Sequence, residues 1–156
     1  MAGEKYADRA IAELAAWLTA QLPAQLRQVE TDQGLTPSSL TDPVAVVKAR
    51  VPSDNRSPLI EVFEESWDYI DFRQRLLSVD CSIVCSFTHD ADISAGELFV
   101  RRYLTALLRT LEQDATFGGK VEACIPRDGS SAMIQGAQSE TREVFAQGVE
   151  IRLHQP

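Results

Sequence analysis

The chain reads as an α+β protein: a mainly antiparallel sheet of about four to five strands with an extended β-hairpin, packed by an N-terminal helix and a central helix. Three observations predict this. An apolar stripe at helical spacing opens the chain, with Ile11, Leu14, Ala15, Leu18 and Leu22 in the series i, i+3, i+4, i+7, i+11. A long period-two alternation fills the middle: Leu77, Val79, Cys81, Ile83, Cys85 and Phe87 face one way, Ser78, Asp80, Ser82, Val84, Ser86 and Thr88 the other. A second helical stripe then follows at Val100, Leu104, Leu107, Leu108 and Leu111. The 156 residues are expected to form one domain, 1–156. A chain of that length buries about 70% of the surface its unfolded form exposes, so it needs no disulfide or metal to fold.

The first helix is predicted over residues 6–29. Pro23 kinks it or ends it, because proline removes a helical hydrogen bond. Thr31 to Ser39 is dense in turn formers and reads as an exposed connection. Val44 to Val51 keeps neither period; its valine content leans toward a strand, while Asp42-Pro43 fits the opening of a short helix. Pro58 to Glu64 is a short strand, with Ile60 and Val62 on one side and Leu59, Glu61 and Phe63 on the other. An extended run from Asp71 to Thr88 spans roughly 55–60 Å, against ~17–20 Å for a usual strand. Part of it must bend or leave the domain, and a hairpin at about 58–75 is expected to protrude.

His89-Asp90-Ala91-Asp92 turns the chain into the central helix, where Ser94-Ala95-Gly96-Glu97 fits a capping box. Phe117-Gly118-Gly119 closes the helical region. Val121 to Ile125 is a short strand stopped by Pro126, and Arg127 to Gln138 a polar loop. Val144 to Leu153 is the last strand, Val149, Ile151 and Leu153 sharing a face, with Gly148 marking a bulge.

No stretch carries a catalytic signature. The two histidines, His89 and His154, stand outside any nucleophile motif such as G-x-S-x-G. His89 with Asp90 and Asp92 supplies one nitrogen and two carboxylates, a set that suits a metal, but aspartate is also a preferred turn residue. Cys81 and Cys85 lie four apart on a strand, so their α-carbons are roughly 13 Å apart, beyond a disulfide or a single zinc site. Cys124 is a neighbour of one of them across the sheet or a small core hydrophobe. Gly118-Gly119 follows a helix instead of opening one, so its amides are not aimed at a phosphate. The expectation is a non-enzyme with no catalytic centre, no cofactor and no metal.

A net charge of −8 repels nucleic acid overall, no run of ~18 apolar residues suits a membrane, and no basic-then-apolar leader opens the chain. The charge is uneven. Glu61, Glu64, Glu65, Asp68, Asp71 and Asp80 stand against Arg73 and Arg75 in one predicted hairpin. That cluster is either a solvated hairpin tip or an acidic arm facing a lumen. Phe63, Trp67, Tyr69 and Phe72 lie in the same segment and offer aromatic anchors for a neighbouring subunit.

The order of elements resembles the tail-terminator (tail-completion, neck) proteins of long-tailed bacteriophages and gene-transfer particles. Three places carry the resemblance: the leading helix with Ile11, Leu14 and Leu18; the strand Leu77 to Phe87 feeding the helix Glu97 to Leu111; and Asp114-Ala115-Thr116-Phe117-Gly118-Gly119-Lys120-Val121, similar to the helix-to-strand turn of such proteins. The resemblance implies a structural virion subunit, assembled in the host cytoplasm into a homo-hexameric ring of the tail neck. It implies three contacts: the tail tube protein, the head–tail connector or stopper protein, and DNA that passes through the lumen without specific binding. Two other classes stay open. One is another neck, connector or tail-tube component, which as a tube subunit would form long filaments alone. The other is a small cytoplasmic α+β ligand-binding domain or enzyme, which would be a monomer with a deep pocket.

Overall fold

The computed structural model describes residues 2–48, 57–89, 93–135 and 141–154. Helix α1 (Ala2–Asp32) leads into a short strand β1 (Ala45–Val47), then β2 (Leu59–Asp71) and β3 (Leu76–His89). Helix α2 (Ile93–Gln113) follows, and β4 (Ala123–Gln135) and β5 (Thr141–His154) complete one five-stranded sheet in the order β1-β2-β3-β5-β4. The pair β1–β2 is parallel and the others antiparallel. This is the expected α+β architecture.

The sheet has a helix face and an open face. On the helix face stand Ile60 and Val62 of β2; Leu77, Val79, Cys81, Ile83, Cys85 and Phe87 of β3; and Phe145, Val149, Ile151 and Leu153 of β5, all buried. They form one core with the stripe Leu14, Leu18, Leu22, Leu26 and Val29 of α1 and with Val100, Tyr103, Ala106, Leu107 and Leu111 of α2. The alternation of Leu77 to Phe87 therefore marks the core face, as its period predicts. Tyr103 is an addition: its ring meets Phe87 edge-on at 4.8 Å, and Phe99 packs on the same Phe87 at 4.9 Å. The open face carries small and polar residues, Ser78, Ser82, Ser86, Ala146 and Gly148 among them. Among the described residues, neither helix packs on it.

Several boundaries differ from expectation, each for a physical reason. Pro23 lies inside α1 and does not end it. Leu22 and Leu26 on either side are both fully buried, and burying two leucines, at about 1.5–3 kcal/mol each, outweighs a proline penalty of about 3 kcal/mol. The extended run from Asp71 to Thr88 is not one strand: a turn at 72–75 splits it. Asp71 builds that turn by accepting hydrogen bonds from the amides of Arg73 (2.9 Å) and Gln74 (3.2 Å). The hairpin is therefore β2–β3, and β3 pairs with β5 as far as Leu76 opposite His154, so it does not project past the sheet. Strand β4 continues through Pro126 to Gln135 instead of stopping. It is an edge strand, and a proline there costs no ladder bond on its solvent side.

Gly148 does not bulge. Strand β5 pairs with β3 in unbroken register, and the irregularity lies opposite, in β4 between Pro126 and Gly129. A Cβ on Gly148 would lie 3.1 Å from the Asp128 carbonyl oxygen, so the glycine gives the neighbouring bulge room to fold over it. The capping serine Ser94 and the His89–Asp92 cluster involve side chains outside the described residues. Glu97 itself pairs with Arg101 one turn on, at 3.8 Å.

Two polar hubs fix the chain where it leaves each helix. Glu30, buried at the end of α1, accepts hydrogen bonds from the Ser38 amide (3.0 Å), the Leu40 amide (2.8 Å) and Arg27 Nε (2.8 Å). Arg27 in turn donates to the Leu40 carbonyl and pairs with Asp42 at 3.2 Å. After α2, Asp114 accepts from the Thr116 amide (2.9 Å), the Thr116 hydroxyl (2.7 Å) and the Gly118 amide (3.0 Å). Phe117, Gly118 and Gly119 all have positive φ (52°, 72° and 85°), a conformation that glycine adopts without strain. The strained member, Phe117, is held by burial and by stacking on Trp17 at 5.5 Å.

Candidate assembly interface

Strand β1 covers β2 only from Leu59 to Glu61. From Val62 to Asp71 the outer edge of β2 has no strand beside it among the described residues. From Glu64 to Ile70 every side chain is exposed, on both faces. This stretch holds most of the residues singled out in the sequence.

A bulge decides how they are arranged. Between Glu64 and Ser66 the register with β3 slips by one residue, so Trp67 pairs with Val79 and Tyr69 with Leu77. Trp67 and Tyr69 consequently stand on the helix face, 59% and 42% exposed. A second slip at Ile70 leads into the turn, where Phe72 is 76% exposed and meets the Tyr69 ring edge-on at 5.3 Å. Trp67, Tyr69, Ile70 and Phe72 thus form an exposed apolar corner of the sheet. Ile70 was not anticipated, because its even position puts it with the polar residues until the bulges are known. Phe63 does not join them. It lies before the bulge on the open face, opposite Ser82 and half-buried.

The carboxylates do not line one wall. Glu61 lies on the open face opposite Val84, Glu64 on the helix face opposite Cys81, Glu65 in the bulge, and Asp68 on the open face opposite Ser78. Asp71 serves the turn. Ser66 donates to Asp80 at 3.1 Å across the strands. Glu65 and Asp80 border a groove of about 530 Å³ on the open face, together with Arg127, Asp128 and Glu150. Glu150 is the buried member. Burial raises its pKa, but the hydrogen bonds from Arg127 Nη2 (2.7 Å) and Arg152 Nε (2.6 Å) outweigh that and hold the carboxyl below its usual range. The open face therefore carries a mixed cluster, Arg127 and Arg152 among Glu65, Asp80, Asp128 and Glu150, not an unbroken acidic field.

At the other edge of the sheet, β4 has no strand on its outer side among the described residues. Beyond its bulge, Gly129, Ser130 and Ser131 are exposed. They border a second groove, of about 330 Å³, closed by Val100, Leu104 and Phe145. Arg101 stands on its rim with its side chain 76% exposed.

The thiols are poor nucleophiles. Burial pushes Cys81 and Cys124 up to about 12 and Cys85 higher still, and all three are free. Among the described residues, no three histidine, cysteine or acidic side chains are grouped to hold a metal ion, and no helix is long and apolar enough to cross a membrane. What the arrangement offers among the described residues is surface: an exposed aromatic corner, and a sheet face on which neither helix packs. No protein-family model matches this chain, and no curated protein matches it at a significant level.

Proposed function

We propose that this chain is a structural subunit of a virion tail neck, a tail terminator. In this reading it closes into a homo-hexameric ring on the end of the tail tube and meets the head–tail connector on its other side. The observation that carries the reading is the exposed apolar corner of the sheet, where Trp67, Tyr69, Ile70 and Phe72 lie together at the end of β2. Large exposed aromatics are the groups that most often anchor interfaces. The open sheet face suits a lumen. Its serines, alanine and glycine give DNA little to hold, and its arginines Arg127 and Arg152, both paired with Glu150, are outnumbered by Glu150, Glu65, Asp80 and Asp128 around the same groove. With a chain net charge of −8, such a wall repels a passing polyanion. The role is mechanical and asks for no catalysis, cofactor or metal.

The experiment is a tube-growth assay. Tail tube subunits polymerise in the presence or absence of the purified chain. A terminator stops elongation when present at one ring per tube end. Continued elongation would overturn the reading, and filaments made of this chain alone would identify a tube subunit instead.

A further inference from the structure

We infer, on the ring reading above, that the joint between subunits is a knob in a socket: Trp67 of one copy seats in the groove between α2 and β4 of the next, where Val100, Leu104 and Phe145 enclose its ring and Arg101 meets Glu64.

The contact is made by side chains and asks for no pairing of strands. Trp67 is 59% exposed on the helix face, because the register slip at Glu65 sets it opposite Val79. An indole is among the side chains whose burial contributes most to an interface. The socket on the same chain is the groove of about 330 Å³ beside α2. Val100 and Phe145, both buried, form its floor, and the exposed Ser130 and Ser131 its mouth. Sites that hold a small ligand begin at roughly 300 Å³, so the groove has room for one aromatic ring system. An apolar floor under a polar rim is the setting in which such an anchor binds best.

A copy cannot fill its own socket. Trp67 is level with Val79 and Ile151, whereas the groove is level with Phe145. From Ile151 to Phe145 is roughly 20 Å of strand, and each strand crossed on the way adds about 5 Å. An indole spans far less, so the occupant is another molecule. Charge selects a second copy of this chain. No carboxylate is among the residues that line the groove, and Arg101 stands on its rim, its side chain 76% exposed and its pair with Glu97 long, at 3.8 Å. Glu64 is exposed on the same face as Trp67, opposite Cys81. Seating Trp67 brings Glu64 to Arg101, and a guanidinium against the indole face adds attraction of its own. Knob and socket lie toward opposite ends and opposite edges of the sheet, so each copy can engage two neighbours at once. Unlike surfaces joined in this way run head to tail, and a closing rotation makes them a ring.

The test is a charge-reversal cycle in the chain assembled on tail tubes. Trp67→Ala should weaken assembly at least tenfold. Glu64→Arg and Arg101→Glu should each weaken it too, and the two together should recover most of the loss, a coupling that independent defects do not show. Both positions are exposed, so the melting temperature should stay unchanged in each variant. Glu64→Cys with Arg101→Cys, treated with a short bismaleimide, should give a ladder of linked copies ending at the ring, while either substitution alone gives none; the three native cysteines are buried. Rings of full strength in Trp67→Ala, or reversed charges whose losses simply add, would overturn this joint and leave the ring reading standing. A ladder that ends at two copies would uphold the seat of Trp67 and overturn the ring. A wild-type chain that stays monomeric on tubes would overturn the ring reading and the joint with it.

Discussion

Glu30 and Tyr103 are two buried polar groups with opposite consequences. The Glu30 carboxylate is enclosed, which by itself raises its pKa, yet the Leu40 and Ser38 amides and Arg27 lower it by more. A folded-state pKa below the unfolded one gives stability that is present above the unfolded value of about 4.3 and is lost as pH falls through the folded value. Glu150, lowered by Arg127 and Arg152 against its own burial, acts in the same direction. The melting temperature should therefore fall as the pH drops below about 4.3, and Glu30→Gln should flatten that acid limb; an unchanged limb in the variant would show that Glu30 is not a contributor. The Tyr103 hydroxyl is buried without a hydrogen-bond partner among the described residues. Removing an unpaired buried donor relieves a cost of about 1 kcal/mol or more. Tyr103→Phe should melt at or above the wild-type temperature, and a loss beyond ~1 kcal/mol would reveal a partner. Ile83, fully buried at the centre of the helix face, has no room for charge. Ile83→Asp should be insoluble or unfolded, since an unpaired buried carboxylate costs several kcal/mol against a total of roughly 5–15; a soluble variant that melts cooperatively would contradict the assignment of that face.

At the scale of elements, legibility followed periodicity. The alternation from Leu77 to Phe87 and the stripes Leu14–Leu18–Leu22 and Val100–Leu107–Leu111 locate the core in the sequence, because one side of each element is dry and the other is not. Features set by a neighbouring strand were hidden. Pro126 reads as a stop until β4 is known to be an edge, and the slip at Glu65 follows from pairing with β3, which no local pattern of β2 records. That slip is why the aromatic group is Trp67, Tyr69 and Phe72 with Ile70, and why Phe63 is on the other face. The groove beside Ser131 joins residues about thirty apart in sequence, so no spacing rule could find it. Pro23 shows tertiary burial overriding propensity, and it makes a prediction of its own. With Leu22 and Leu26 holding the helix in register, Pro23→Ala restores a backbone donor and should raise stability by about 1–3 kcal/mol, measured as a higher denaturant midpoint with the same m-value. A lower midpoint would mean that proline's restriction of the unfolded chain is the larger effect.

At the scale of the whole molecule, the two helices spend their apolar faces on one side of the sheet and, among the described residues, leave an open face and an exposed aromatic corner. An isolated monomer has little reason to expose Trp67, Tyr69, Ile70 and Phe72 together, whereas a ring would cover them. Charge favours the same picture, since net −8 spread over every copy keeps free subunits apart until a template gathers them. The central claim is that these surfaces close into a ring on a tube end. It is tested most directly by imaging tail tubes to which the purified chain has been added, at a resolution that counts subunits. The account predicts one closed hexameric ring on a tube end, sheet faces inward and helices outward. Copies scattered along the tube wall, filaments of the chain itself, or bare tube ends with the chain still monomeric would contradict it.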